Sequence, residues 1–299
     1  RWTAASRVVD APETFRDPWT GREWKPRNYD RDAFEGTMTM RRAIALSKNT
    51  VAVRLISELG VDPVVDFARR AGIGSEMPRN MTLALGTGEV TPLELANAFA
   101  TFASGGLVGE PVLVERVLDR EGNVLEEARP RMRPAISPAI AYVLTQLLEA
   151  VVEEGTGRAA RALGRPVAAK TGTASEGRDA WVAGYTPDLV VVSWVGYDDH
   201  RPLGPGETGG RTAMPAWLEL MRAAHRGLPV RDFPVPSGVE LVLIDRATGL
   251  LAAEGATEET AVLDAFVAGT APTERAVAPG LAPSEMPMEL FLGGGELAP

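Results

Sequence analysis

Val167-Ala168-Ala169-Lys170-Thr171-Gly172-Thr173, then Trp181-Val182-Ala183-Gly184-Tyr185, then Thr186-Pro187-Asp188 leading into Leu189-Val190-Val191-Val192-Ser193-Trp194-Val195-Gly196, is the stretch that decides the fold. Three extended segments follow one another, rich in β-branched and aromatic residues, and Thr-Pro-Asp between the last two is turn chemistry. The expectation is an antiparallel hairpin beside the Lys170 strand. The run from Leu189 to Gly196 is apolar on both faces, which suits the middle of a sheet covered by helices on both sides. Trp217, Leu218, Leu220 and Met221 supply one such covering helix over 215–224. The fold class expected is mixed α/β of the α+β kind, an antiparallel central sheet flanked by helices.

Upstream the period changes from two to 3.6. From Thr39 onward the pattern is helical, with Val51, Leu55, Ile56 and Leu59 on one face, and it breaks near Ser47 to Asn49, residues that favour caps and turns. Thr91-Pro92-Leu93-Glu94 is a capping box with proline at the first helical position, ahead of Leu95, Phe99 and Phe102, and Gly105-Gly106 closes that helix. Ser137-Pro138 opens another, with Ile140, Leu144, Leu147, Leu148 and Val151 at helical spacing until Gly155 and Gly157.

The ends read differently. Asp17-Pro18-Trp19-Thr20-Gly21 and Asn28-Tyr29-Asp30 mark residues 1–36 as an irregular lead-in of turns and short extended pieces. Residues 37–227 form the expected core. The extension 228–299 holds one expected hairpin, Val239 to Asp245 with a turn at Ala247-Thr248-Gly249, and then a tail dense in Ala, Gly, Pro and Glu that is expected to be poorly ordered.

Composition bounds the function. The 299 residues are 45% hydrophobic and carry a formal charge of -9, so no basic field exists to hold a phosphate backbone and nucleic acid is not an expected partner. There is no cysteine, hence neither a disulfide framework nor thiolate chemistry. Leu189 to Val195 is far shorter than the roughly 20 residues that cross a bilayer. The sequence opens at Arg1 without an initiating methionine or a leader pattern and reads as a piece of a longer protein.

Two short motifs carry chemistry. Lys170-Thr171-Gly172-Thr173 lies at a strand end, where a lysine, two hydroxyls and backbone N–H groups converge and Gly172 lets a ligand approach the backbone. With only three lysines in the chain, this is more than a polar strand end needs. Ser47-Lys48-Asn49 stands at the helix break, where a hydroxyl and an amide can face a cleft. By itself it is an ordinary helix boundary.

A serine-x-asparagine element followed by lysine-threonine-glycine on a strand is two thirds of the signature of penicillin-recognising serine enzymes. Further stretches bring the chain closer to one branch: Leu83-Ala84-Leu85-Gly86, Glu89 to Ala96, Arg178-Asp179-Ala180-Trp181, Gly184 to Asp188, Trp194 to Asp199 and Thr208-Gly209-Gly210. The sequence resembles class A penicillin-binding proteins in their transpeptidase domain, over about residues 1 to 225 and weakly into the hairpin near 240. The resemblance implies a β-lactamase/transpeptidase-like fold with a helical subdomain. It implies peptidoglycan stem peptides as substrate and β-lactams as mimics, with other cell-wall synthesis proteins as companions and no cofactor or metal. His200 and His225 have no ligand partners at useful spacing. It also implies an extracytoplasmic location and a glycosyltransferase domain and membrane anchor upstream.

The same resemblance assigns roles. Ser47 passes a proton, Lys170 polarises Ser47 and complements the substrate carboxylate, and Asn49 holds the donor's amide carbonyl. Thr171 and Thr173 hydroxyls bind the terminal carboxylate, beside Gly172, and the Thr173 N–H is one arm of an oxyanion hole. The family nucleophile is the serine of a Ser-x-x-Lys motif, and no serine here is followed three positions later by lysine. Since Arg1-Trp2-Thr3-Ala4 resembles family sequence lying shortly after the helix that carries that motif, the expectation is truncation, with the serine in an upstream segment and this chain alone inactive, and a pseudoenzyme is the alternative. Two readings compete: a non-catalytic module binding wall peptide or a divisome partner, and a serine β-lactamase or DD-carboxypeptidase, for which Glu76 and Asn80 give a weak match to a water-activating glutamate motif.

Overall fold

The computed structural model describes residues 2–16, 21, 23–29 and 33–277. The lead-in is less irregular than its composition suggests. Strand β1 (Arg7–Asp10) runs antiparallel to β4 (Gly36–Thr39), and between them lies a two-residue pair, β2 (Phe15–Arg16) with β3 (Glu23–Trp24). Asp17 to Thr20 and Asp30, part of the expected turns, lie outside the described residues.

Thr39 ends β4 and begins α1 (Met40–Ala45), its hydroxyl accepting from the Arg42 N–H. Helix α2 (Asn49–Leu59) follows after the expected break, and α3 (Val61–Arg70) follows after Gly60. Phe15, Val53, Ile56, Val61, Val65 and Met81 close a small core for this helical part. Helix α4 (Pro92–Ala103) has the expected capping box, with Thr91 accepting from the Glu94 N–H and the Glu94 carboxylate accepting from the Thr91 N–H. Two strand pairs then intervene, β5 (Leu107–Gly109) with β8 (Met132–Pro134), where Val108 is buried, and the exposed pair β6 (Arg116–Leu118) with β7 (Val124–Glu127). Helix α5 (Pro138–Glu154) begins at Ser137 and Pro138 and stops at Gly155.

The central sheet is antiparallel in the order β11-β10-β9, from β9 (Ala168–Thr173), β10 (Asp179–Tyr185) and β11 (Val190–Gly196). The expected hairpin beside the Lys170 strand is present. One expectation is corrected: the doubly apolar strand β11 is an edge, and β10 takes the middle among the described residues. Its two apolar faces arise because helices cover both. Val191 packs with Val182 and Trp217 of α6 (Met214–Ala224), while Val190 packs with Tyr185, Phe99 and Phe102. Trp217 donates its indole N–H to the Val191 carbonyl at 2.9 Å.

The C-terminal hairpin also differs from expectation. The turn at Ala247-Thr248-Gly249 forms, with the Asp245 carboxylate accepting from the Ala247 and Thr248 N–H groups, but it only brings Leu251 back beside Ile244. The full partner of β12 (Val239–Asp245) is β13 (Ala261–Val267), reached through residues 246–260. Gly249 is required there twice over. Its φ is +75°, and a Cβ would stand 2.1 Å from the Ala5 carbonyl oxygen. Ile244 and Phe266 bury against Ala5, so this hairpin is folded onto the lead-in. The tail expected to be poorly ordered lies outside the described residues from 278 onward.

Candidate active site

The break between α1 and α2 is a helix C-terminus of the Schellman kind. The Ser47 N–H donates to the Ile44 carbonyl at 3.0 Å and the Lys48 N–H to the Ala43 carbonyl at 2.9 Å, with the residue between them in the left-handed region. That residue is Ser47, at φ +57°. Glycine is the usual occupant, because a Cβ there costs about 1 kcal/mol or more. The hydroxyl is what the strain retains. Lys170 donates from Nζ to Ser47 Oγ at 2.7 Å and to the Thr171 carbonyl at 2.8 Å. Helix break and strand, 123 residues apart, meet there.

Lys170 lies deep in this contact, and burial pulls its ammonium down to about 8. It is a cation at neutral pH, with the neutral amine one step away.

The register puts Lys170 and Gly172 on one face of β9 and Thr171 and Thr173 on the other. The two threonine hydroxyls are held by neighbours: Thr171 donates to Thr156 Oγ1 at 2.7 Å, and Thr173 accepts from the Gly209 N–H at 3.1 Å. Gly209 starts a short π-helical turn, Gly209–Ala213, that leads into α6. A Cβ on it would stand 2.5 Å from the Gly172 carbonyl oxygen, so this turn rests directly on the strand. Gly155 plays the same part on the other side: its Cβ would lie 2.0 Å from the Ala45 carbonyl oxygen, to which the Thr156 N–H donates at 3.1 Å. The end of α5 thereby joins α1 to β9.

Asn49 opens α2. Its Nδ2 donates to the Arg27 carbonyl at 2.9 Å, leaving one N–H uncommitted to that bond. Lys48 gives α2 no side-chain cap, and Asn28 supplies it from the lead-in, its Oδ1 accepting from the Asn49 N–H at 3.0 Å. Asn28 in turn donates to Asp10 Oδ1 at 2.7 Å.

The residues to which sequence reasoning gave no part in the site are thus Asp10, Asn28 and Thr156, and Gly209 entered only as part of a resembling stretch. Periodicity offers no signal for contacts spanning 15 to 40 positions. Asn80, matched above to a hydrolase pattern, caps the 3-10 turn Met81–Leu85 by accepting from the Thr82 N–H at 3.0 Å. His225 is a buried structural residue: its Nδ1 meets the Met221 carbonyl at 2.7 Å and its Nε2 the Thr186 hydroxyl at 2.8 Å.

Comparison with known proteins gives the family. The family described as penicillin binding protein transpeptidase domain matches residues 5–221, and the C-terminal domain of penicillin-binding protein 1A matches residues 235–276. Penicillin-binding protein 1A of Aquifex aeolicus is 37% identical over 270 residues, covering 90% of this chain and 36% of that protein. The chain spans about a third of the length of the curated relatives it matches. The crystal structure of penicillin-binding protein 1A from Haemophilus influenzae superposes with a TM-score of 0.84 at 30% identity, covering 92% of this chain and 46% of that one. The PonA1 protein of Mycobacterium tuberculosis in complex with penicillin V superposes with a TM-score of 0.68 at 27% identity, covering 84% and 69%.

Proposed function

Because this chain belongs to the penicillin-binding protein transpeptidase family, we propose that it forms most of the acyl-transfer site of a serine-type DD-transpeptidase that cross-links peptidoglycan stem peptides. The observation that carries the reading is the 2.7 Å contact between Lys170 and a serine held in a strained left-handed turn. Strain kept at a hydroxyl that packing does not need is a mark of function.

In this reading the nucleophilic serine and its base come from a Ser-x-x-Lys segment upstream of these 299 residues. That hydroxyl attacks the carbonyl of the penultimate D-alanine, the terminal D-alanine leaves with a proton, and an amine from a neighbouring strand then displaces the serine ester. Ser47 passes the proton to the leaving amine and Lys170 supplies positive charge to it, while the strand end at Thr171 to Thr173 receives the terminal carboxylate. The uncommitted N–H of Asn49 holds the donor amide carbonyl. β-Lactams enter as mimics of the donor, and the similar PonA1 protein is known in complex with penicillin V. The site works on the extracytoplasmic face of the membrane, with the anchor in the upstream part of the protein.

A fluorescent penicillin tests this. The 299-residue chain is expected to form no covalent adduct, and a version extended upstream to include Ser-x-x-Lys is expected to form one on that serine. An adduct on Ser47 in the short chain would overturn the assignment. In the extended protein, Lys170→Ala is expected to slow acylation by about a hundredfold or more. The extended protein is expected to lose rate as pH rises through about 8, and Lys170→Arg is expected to remove that fall.

A further inference from the structure

Lys48, the middle residue of the Ser47-Lys48-Asn49 turn, points away from the site. Its Nζ lies 3.2 Å from Asp10 Oδ2 and 2.9 Å from Glu35 Oε1, and its side chain is only 10% exposed. Asp10, at the end of β1, is wholly buried and is the centre of a network that no local pattern announces. Its Oδ1 accepts from the Thr50 hydroxyl at 2.5 Å and from Asn28 Nδ2 at 2.7 Å, and its Oδ2 accepts from the Glu35 N–H at 3.0 Å.

Every residue of this network grips the start of α2 or the turn before it. Asn28 caps the Asn49 N–H, Thr50 is the second residue of the helix, and Lys48 directly follows the strained serine. A left-handed serine relaxes unless both of its flanks are fixed. The Schellman bonds fix the α1 side, and the Asp10 network fixes the α2 side.

We propose that Asp10 is a positioning residue of the site: by holding Asn28, Lys48 and Thr50 it keeps Ser47 in its left-handed conformation with the hydroxyl on Lys170. The proposal rests on the functional reading above. It adds that the rate of acyl transfer is set in part by a carboxylate that touches neither substrate nor the reacting atoms. Small displacements of such a relay are costly, since about 1 Å of misplacement lowers a rate roughly a hundredfold.

The test has two arms. In the 299-residue chain, Asp10→Asn and Asn28→Ala are expected to speed amide hydrogen exchange at Asn49 and Thr50 by about tenfold or more, while exchange at Val182 and Val191 in the sheet stays as in the wild type. In the protein carrying its upstream Ser-x-x-Lys segment, the same changes are expected to lower the acylation rate at saturating fluorescent penicillin by about 10- to 100-fold, with apparent affinity changed less than about threefold. Ile244→Ala, which opens the small core of Ala5, Ile244 and Phe266 under the C-terminal hairpin, serves as the stability control and is expected to leave that rate unchanged. If Asp10→Asn does not fold, Asn28→Ser and Thr50→Val each remove part of the network and are read in the same way.

A folded Asp10→Asn protein that acylates at the wild-type rate overturns the proposal. So does a loss of rate that merely follows melting temperature and is matched by Ile244→Ala. Ser47→Ala acylating at the wild-type rate would instead sink the functional reading and leave the exchange result standing.

Discussion

The segment from Arg41 to Thr50 is held between two aspartates, Asp10 and Asp264, both with no exposed surface, and their carboxyls are displaced in opposite directions. Burial pushes Asp10 up, but hydrogen bonds from Thr50, Asn28, the Glu35 N–H and Lys48 outweigh it, and the net shift is below the ordinary carboxylate value. Burial also pushes Asp264 up, and there it prevails. Asp264 accepts only from the Ala265 N–H at one oxygen, and the other sits 3.6 Å from Arg41 Nη1, beyond hydrogen-bond range. Arg41 gives its closer N–H groups to Glu154 at 3.0 Å and Glu153 at 2.5 Å. Both are hidden from solvent, but Asp264 lies deeper among protein atoms and Asp10 has more donors, so depth and the donors aimed at the carboxylate together set the opposite signs. Donors crowd where the turn of the site is braced, and they are sparse where the C-terminal hairpin meets α1.

The largest effect expected from this contrast is on stability. Asp10→Ala leaves the Thr50 hydroxyl and the Glu35 N–H without their acceptor, Asn28 Nδ2 with the Ala33 carbonyl at 3.3 Å and Lys48 with Glu35 alone, and it is expected to cost about 3–5 kcal/mol. Asp264→Asn keeps an acceptor for the Ala265 N–H and removes a badly paired buried charge, while Arg41 keeps both glutamates. It is expected to change stability by less than about 1 kcal/mol. Urea unfolding of the 299-residue chain and its variants compares the two. A larger loss from Asp264→Asn would reverse the comparison.

Dependence on pH separates the two sides further. Glu149, on α5 near the Arg41 cluster, is raised to about 8 by burial first and by the Glu153 charge second, against the pull of Arg41. A carboxyl raised in the folded state contributes stability that is full below its unfolded value of 4.5 and is lost as pH climbs to about 8. Asp10 has the opposite sign: its contribution is present above 3.8 and disappears as pH falls through its lower folded value. Glu149→Gln is accordingly expected to stabilise the chain by about 2 kcal/mol at pH 9 and to do little at pH 4, a figure below the full shift because solvent still reaches part of the mostly buried side chain. Melting temperatures of wild type and variant across that range give the answer, and parallel curves would refute the assignment.

The contrast also explains what the sequence disclosed and what it hid. The hairpin beside Lys170, the capping box at Thr91 and the break at Ser47 were legible because each is written in consecutive residues, as period, cap or turn. The place of β11 at an edge was not, because a strand's side chains report what covers its two faces, here α4 and α6, and not which strands pair with its edges. Nor was the long return from β12 to β13, since the turn at Ala247 to Gly249 does form and is simply not the one that pairs the strands. Asp10 and Asn28 stay hidden for another reason. An aspartate ending a short strand and an asparagine after Arg27 look like loop chemistry, and their meaning lies in α2, 21 to 40 positions away.

The smallest effect reaches the strained turn itself. Ser47→Ala and Ser47→Gly both delete the hydroxyl and therefore lose the same hydrogen bond from Lys170. They differ in the backbone. Alanine retains a Cβ in the left-handed region, at φ +57°, whereas glycine adopts that conformation freely at the C′ position of a Schellman turn. Glycine ordinarily loses to alanine because its unfolded chain has more freedom, by roughly 0.5–1 kcal/mol. Here the left-handed cost of about 1–2 kcal/mol on alanine exceeds that penalty. Ser47→Gly is therefore expected to be more stable than Ser47→Ala by up to about 1 kcal/mol, measured by urea unfolding of the 299-residue chain. In a protein that carries the upstream serine, both variants are expected to be equally slow in acylation. If alanine proves the more stable of the two, Ser47 is not strained in solution, and the Asp10 network has no conformation to hold in place.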